Sequence, residues 1–310
     1  MSSKVLNILI TGGNQGIGFE TAKHLARRGY NITIACRNMN AANEAVETIT
    51  KETDGNNQIN CVELDLCSFE SVKKCSEKLI SSGKNFDVVI LNAGTMHPKE
   101  PFTQDGLETT LQVNFLSHYL LLELLRKNDI GLAKPARIIC LTSILHRWCD
   151  SLFSLPKSSS EWLSFMKNEK ILQNSQNIAY SSIKLSTFEK LKYYAISKAA
   201  NAMLAHHLNS IENVYAISVH PGIVRTSMTK NFSNRSPKFL SFIKRCFITP
   251  QEASFHVSAA LDKTFAIDYI TNNDVYQHCE TTAGLKKYVR SGENFAKMKE
   301  AADKIIASYI

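Results

Sequence analysis

On a helix, a tyrosine and a lysine four residues apart present a phenol and an ammonium on one face, and Tyr194-Ala-Ile-Ser-Lys198 has that spacing. A free tyrosine, with a pKa of about 10, is a poor acid or base at neutral pH. A neighbouring lysine cation favours the phenolate and moves the group toward a useful range, so the pair predicts proton transfer at a substrate oxygen. The spacing occurs twice, because Tyr180-Ser-Ser-Ile-Lys184 repeats it, whereas Tyr193 has Ser197 at i+4 and no lysine. Spacing alone does not choose between Tyr180 and Tyr194.

A second chemical signal lies near the N-terminus. The apolar run Val5, Leu6, Ile8, Leu9 and Ile10 is followed at once by Gly12, Gly16 and Gly18, and then by Phe19, Ala22, His24, Leu25 and Ala26 near helical spacing. Between a strand and a helix, such glycines permit a tight turn and let the backbone approach a pyrophosphate, toward which the free N–H groups of the helix start point.

The elements that must position these residues alternate along the chain. Strands are expected at 31–35, 59–64, 87–91, 137–141 and 214–219, with helices over 41–50, 69–80, 107–126 and 193–210. That order predicts right-handed βαβ units, and so an α/β fold with a single doubly wound parallel sheet and helices on both faces. Ligands then bind at the carboxyl ends of the strands, where the polar tips Asn92, Ser143 and Pro221-Gly222 fall. From His146 to Lys192 the pattern breaks into a long insertion before the tyrosine helix, expected as a lid or substrate loop. The basic, aromatic stretch 231–247 belongs to an expected substrate flap at 227–250. A helix opens at Pro250, a last strand is expected over 274–278, and a polar helix over 293–307. One domain over 1–310 is the expected organisation.

Composition narrows the partners. With 44% hydrophobic residues in 310, the chain can bury a sizeable core. The net charge of +8 is spread along the sequence, which suits attraction of anionic cofactors or a membrane surface but not a nucleic-acid interface. Eight cysteines without a CxxC pair predict reduced thiols and a cytoplasmic setting. With the first strand starting at Val5, no leader is expected, and the apolar run from Tyr119 to Leu125 is too short to span a bilayer. His24, His118, His206 and His207 lack a matching Cys or acidic cluster, so no metal site is expected. His146 either lines the substrate mouth or is an ordinary polar loop residue.

Taken in order, Thr11-Gly12-x3-Gly16-Ile17-Gly18, Asn92-Ala93-Gly94, Asn114, Ser143, Tyr194-x3-Lys198 and Pro221-Gly222 resemble the short-chain dehydrogenases/reductases. Ala35-Cys36-Arg37-Asn38 and Tyr194-x-x-Ser197-Lys198-x-x-Asn201 resemble their retinol dehydrogenase and WW-domain oxidoreductase branch. The resemblance covers about residues 5–228 and implies a Rossmann-like fold. It favours Tyr194 over Tyr180, since Ser197 precedes Lys198 whereas Ile183 precedes Lys184. It also implies roles. Ser143 would hydrogen-bond the substrate oxygen and Tyr194 would pass the proton. Lys198 would lower the phenol pKa and bind the nicotinamide ribose, and Asn114 would hold a water linking the lysine to solvent. The dinucleotide would lie along Gly12, Asn14, Gln15, Gly16, Ile17 and Gly18. Asp65 and Leu66 would meet the adenine, Asn92, Ala93 and Gly94 would form the floor, and Pro221, Gly222, Val224 and Thr226 would close over the nicotinamide.

At the end of the second strand, where NAD enzymes usually carry Asp or Glu, the chain has Cys36-Arg37-Asn38. Arg37 can pair with a 2′-phosphate and no carboxylate stands there to oppose it, so NADP is expected ahead of NAD. The expected function is carbonyl–alcohol interconversion on an apolar small molecule of the retinoid, steroid or lipid aldehyde kind. The alternative is a dinucleotide-binding regulatory protein of the same fold with weak turnover. Peripheral membrane contact and a homodimer stay open.

Overall fold

The computed structural model describes residues 4–53, 57–128, 130–149, 152–168, 184–225, 247–261, 279–280 and 287–310. Apolar runs of strand length become the parallel strands β1 (Asn7–Thr11), β2 (Asn31–Cys36), β3 (Ile59–Glu63), β4 (Phe86–Leu91), β5 (Leu132–Leu141) and β6 (Val214–Val219). They lie in the order β3-β2-β1-β4-β5-β6, paired in parallel throughout. The order reverses between β1 and β4, which opens a ligand crevice above their carboxyl ends.

Because successive strand residues point to opposite faces, one run of sequence supplies two cores. Ile8, Ile10, Ile32, Ile34, Val88 and Ile90 enter one, under α1 (Gly16–Arg27), α2 (Met39–Lys51) and, later in the chain, Pro250–Ala259. Leu9, Val89, Leu91, Ile138 and Cys140 enter the other, under α3 (Phe69–Ser81) and α4. Helix α4 runs over 109–126 as Thr109–Leu111, a π-helical segment Gln112–Leu116 and Ser117–Arg126. After β5 come a 3-10 turn at Ile144–Trp148, α5 (Ser159–Lys167) and the tyrosine helix α6 (Thr187–Leu208). The short strands β7 (Ile223–Val224) and β8 (Phe247–Ile248) pair with each other, and α7 (Pro250–Ala259), β9 (Cys279–Glu280), α8 (Lys287–Arg290) and α9 (Gly292–Ile306) complete the described chain.

Two expectations change and a third lies outside the described residues. The tyrosine helix begins at Thr187, not near 193, because Ser186 and Glu189 form a reciprocal capping box that starts it earlier; the insertion is shorter at that end. The expected strand at 274–278 lies outside the described residues, and the strand found, β9, runs antiparallel beside β6 through Ser218↔Glu280 and Val219↔Cys279. The last helix is amphipathic rather than polar. Its buried Phe295, Met298, Ala302 and Ile306 pack toward α5 and α6, each large side chain contributing about 1.5–3 kcal/mol.

Candidate functional site

The glycine turn joins β1 to α1. Gly12 and Gly16 sit at φ +66° and +59°, a region that side chains disfavour. A Cβ on Gly18 would lie 2.3 Å from the Gly12 carbonyl oxygen and 2.4 Å from Asn92 Nδ2, so the helix start presses directly on the turn. Asn14 and Ile17 are half-buried and Gln15 is exposed. Gln15 caps α1 without a side-chain hydrogen bond, and the first turn carries no acidic residue. The opening N–H groups are therefore left to an anion, which fits a pyrophosphate.

Asn92, Ala93 and Gly94 brace this turn from the end of β4. Asn92 Nδ2 donates to the carbonyls of Thr11 at 2.8 Å and Gly12 at 3.1 Å. The backbone N–H groups of Asn92 and Ala93 each donate to Thr11 Oγ1 at 3.0 Å. A Cβ on Gly94 would stand 3.1 Å from Asn114 Oδ1 and 3.4 Å from Lys198 Nζ, which places the glycine backbone against both groups.

At the ends of β2 and β3 the structure adds a contact that the sequence does not show: Asp65 Oδ1 lies 4.0 Å from Arg37 Nη1. The reason is topological: β2 and β3 are parallel neighbours, so the residues just beyond their carboxyl ends meet. Asp65 also accepts the Cys67 N–H at 2.9 Å. Asn38 is the N-cap of α2, its Oδ1 accepting from Ala41 N at 3.1 Å. Leu66 is buried, and its carbonyl accepts the Ser117 hydroxyl at 2.7 Å.

Pro221 and Gly222, the latter at φ +94°, follow β6. Buried Val224 lies in the short strand that pairs with Phe247–Ile248. Thr226 and Tyr180 lie outside the described residues.

Helix α6 brings Tyr194, Ser197, Lys198 and Asn201 to the ends of β4 and β5. Lys198 is buried, and its Nζ donates to the Leu141 carbonyl at 3.0 Å and stands 5.8 Å from the centre of the Tyr194 ring. Asn201 Nδ2 donates to the same carbonyl at 3.2 Å. Ser143, just beyond β5, lies beside the Tyr194 side chain, close enough to act on its phenol. Burial pushes the Lys198 ammonium down to about 8. The phenol does not move as spacing predicts: burial raises it, and this outweighs Ser143, which pulls the other way.

Asn114 sits in the π-helical segment of α4, a distortion frequent at functional sites. Its Nδ2 donates to Thr95 O and Ser197 Oγ, both at 2.9 Å, and its Oδ1 accepts Thr95 N at 2.7 Å. Both side-chain donors are thus spent on protein. The expected water would have to meet an oxygen of this residue instead.

Tyr193, the third tyrosine, is buried and stacks on Phe165 with ring centres 4.5 Å apart, away from Lys198. His146 is fully buried rather than at the mouth. Its carbonyl accepts the Tyr288 hydroxyl at 2.5 Å, which ties the segment after Ser143 to the C-terminal α8. Sequence reasoning missed Thr95 and His118. For His118 a signal existed, since it lies four residues after Asn114, one turn along the same helix. Among the described residues, no group of three or more His, Cys, Asp or Glu could hold a metal ion, and no helix is long and apolar enough to cross a membrane.

The parallel sheet, the glycine turn and the clustering of Asn114, Ser143, Tyr194 and Lys198 are joined by a match over residues 6–147 to the short chain dehydrogenase family. Over its matched segments the chain is that of a short-chain dehydrogenase/reductase of the retinol dehydrogenase-like branch. Among its relatives, the WW domain-containing oxidoreductase of Gallus gallus is 34% identical over 236 residues, 75% of this chain and 52% of that protein. Retinol dehydrogenase 12 of Mus musculus is 32% identical over 227 residues, 72% and 63% respectively. The chain therefore spans about half to two thirds of the length of these two relatives. In fold it is similar to a blue fluorescent protein from a metagenomic library in complex with NADPH, with TM-score 0.58 and 19% identity, covering 82% of this chain and 89% of that one.

Proposed function

We propose that the protein is an NADP(H)-dependent oxidoreductase that interconverts a carbonyl and an alcohol on an apolar small molecule, with Tyr194 as acid and base. The observation that carries this is the placement of buried Lys198, whose Nζ stands 5.8 Å from the centre of the Tyr194 ring and donates to the Leu141 carbonyl at 3.0 Å, two residues before Ser143. The turn from Gly12 to Gly18 would hold the pyrophosphate, Arg37 the 2′-phosphate and Lys198 the nicotinamide ribose. The dinucleotide, when bound, supplies the hydride.

The chain's own residues supply position and the proton. Ser143 lies beside the Tyr194 phenol, so a substrate oxygen would be held by both hydroxyls at once. In reduction the Tyr194 Oη proton passes to the oxygen as negative charge develops there. Desolvation alone would leave the phenolate too basic to re-form easily; Ser143 and the Lys198 cation stabilise it. Retinoids, steroids and lipid aldehydes are the proposed substrates, in keeping with the name of the mouse relative, retinol dehydrogenase 12. One domain and a cytoplasmic setting complete the proposal, supported by free thiols at Cys36, Cys61, Cys67, Cys75, Cys140 and Cys149.

Tyr194→Phe removes only the hydroxyl. NADPH-dependent reduction of an aldehyde panel should fall at least a hundredfold, in line with loss of general acid–base catalysis, while NADPH affinity stays within about twofold. Tyr180→Phe should lose little. Unimpaired turnover in Tyr194→Phe overturns the assignment. Tight NADPH binding by the unaltered protein with no turnover across the panel would favour the regulatory alternative.

A further inference from the structure

We propose that His118 is a positioning residue that couples the dinucleotide turn to the π-helical segment carrying Asn114, through a single fixed neutral tautomer. The proposal deepens the function above and rests on that reading for its kinetic arm only.

The geometry is a chain of buried hydrogen bonds. Thr11 Oγ1 lies 2.9 Å from His118 Nε2, and His118 Nδ1 lies 3.1 Å from the Asn114 carbonyl oxygen. Thr11 closes the glycine turn at the end of β1; Asn114 contacts Ser197 on α6 and is the neighbour of Lys198 through Gly94. All three residues of the chain are fully buried, so water cannot substitute for a missing partner.

Counting donors fixes the protons. The Thr11 hydroxyl already accepts two N–H groups, those of Asn92 and Ala93, at 3.0 Å each. A hydroxyl has two acceptor lone pairs and one proton. With its lone pairs occupied, the hydroxyl can only donate toward Nε2, so Nε2 is the unprotonated nitrogen. The proton of the ring is then on Nδ1, where it donates to the Asn114 carbonyl, an acceptor with no proton of its own. The alternative direction for the Thr11 proton, the Ile90 carbonyl at 3.5 Å, is the longer contact. An imidazolium would leave Nε2–H facing a saturated oxygen. Burial and the nearby Lys198 charge act in the same sense, holding the imidazole down to about 4.

The consequence is mechanical. His118 Nδ1 takes up the Asn114 carbonyl within the π-helical segment, while its other nitrogen is anchored to the turn that would carry the pyrophosphate. The position of Asn114, and through it of Ser197 and Lys198, is thereby referenced to the cofactor turn rather than to α4 alone. Glutamine can reproduce both contacts, Oε1 accepting from Thr11 and Nε2 donating to Asn114. Leucine reproduces the apolar volume and neither contact.

The test uses the full chain with His118→Leu and His118→Gln. In the unaltered protein, ¹⁵N NMR of the His118 ring should report the Nδ1–H tautomer unchanged from pH 5.5 to 8.5, whether or not turnover is found. Titration in that interval, or the Nε2–H tautomer, overturns the proposal. In the kinetic arm, His118→Leu should lower kcat for NADPH-dependent reduction tenfold or more with KM for NADPH within threefold, and His118→Gln should restore most of it. Unchanged kcat in a folded His118→Leu protein overturns the proposal. Equal loss in both variants accompanied by equal loss of thermal stability also overturns it, because that pattern marks simple packing. Absence of turnover in the unaltered protein counts against the proposed function and leaves the tautomer measurement to decide the proton assignment.

Discussion

The pairing of Arg37 with Asp65 makes the cofactor preference a quantitative matter. A charge-assisted contact from a guanidinium to a phosphate contributes roughly 1.5–3 kcal/mol, or about ten- to a hundredfold in affinity. Asp65 Oδ1 stands 4.0 Å from Arg37 Nη1. Opposite charges at that distance interact by about 1 kcal/mol with water-like screening and about 4 kcal/mol at an effective dielectric of 20. The Arg37 side chain is 72% exposed, so the lower figure applies. Asp65 therefore competes with a 2′-phosphate for Arg37 but does not cancel it. Arg37→Ala should weaken NADPH binding about ten- to a hundredfold and NADH binding by less than about threefold, read by nicotinamide fluorescence titration at a fixed 0.15 M salt. Asp65→Asn keeps an oxygen for the Cys67 N–H and removes the charge. It should raise the ratio of NADPH to NADH affinity about fivefold, a ratio in which any altered adenine contact cancels. Equal losses for both coenzymes in Arg37→Ala, or an unchanged ratio in Asp65→Asn, would refute this account.

Gly18→Ala should destabilise the fold: the new Cβ meets the Gly12 carbonyl at 2.3 Å and Asn92 Nδ2 at 2.4 Å, and overpacking of about 1–3 kcal/mol exceeds the gain of about 1 kcal/mol for alanine in a helix. Gly292→Ala, where a Cβ meets nothing within 4 Å, should be neutral or mildly stabilising in the same thermal melt; equal shifts would contradict the close approach. Lys198, lowered from 10.5 to about 8, binds its proton less tightly folded than unfolded, so its burial penalty of about 3 kcal/mol is fully present below pH 8 and is relieved as pH rises from 8 toward 10.5. The unaltered protein should therefore gain thermal stability relative to Lys198→Met across that window, and parallel curves would exclude the shift; over the same rise in pH, affinity for the dinucleotide should fall as the ammonium is lost.

How far the sequence reveals this site depends on whether the relevant physics is local. The strands show because β1 and β4 are apolar runs buried on both faces, and the turn shows because side chains disfavour the conformations at Gly12 and Gly16 and none fits the contact at Gly18. Asp65 beside Arg37 does not show, since it follows from β2 lying next to β3. The bond between Thr11 and His118 spans 107 positions and that between His146 and Tyr288 spans 142; no periodicity encodes either. The early start of α6 was legible, for Ser186-x-x-Glu189 is a capping signature, but it stands at the edge of a segment without hydrophobic rhythm. The direction of the Tyr194 shift is the instructive case. An i, i+4 pair guarantees that Lys198 is near, and nearness in water would favour the phenolate. Spacing carries no information on how much water the fold removes from both groups, and once it is removed the neutral phenol is favoured. What pulls the Tyr194 phenol the other way is Ser143, which follows β5 and which no helical spacing could have supplied.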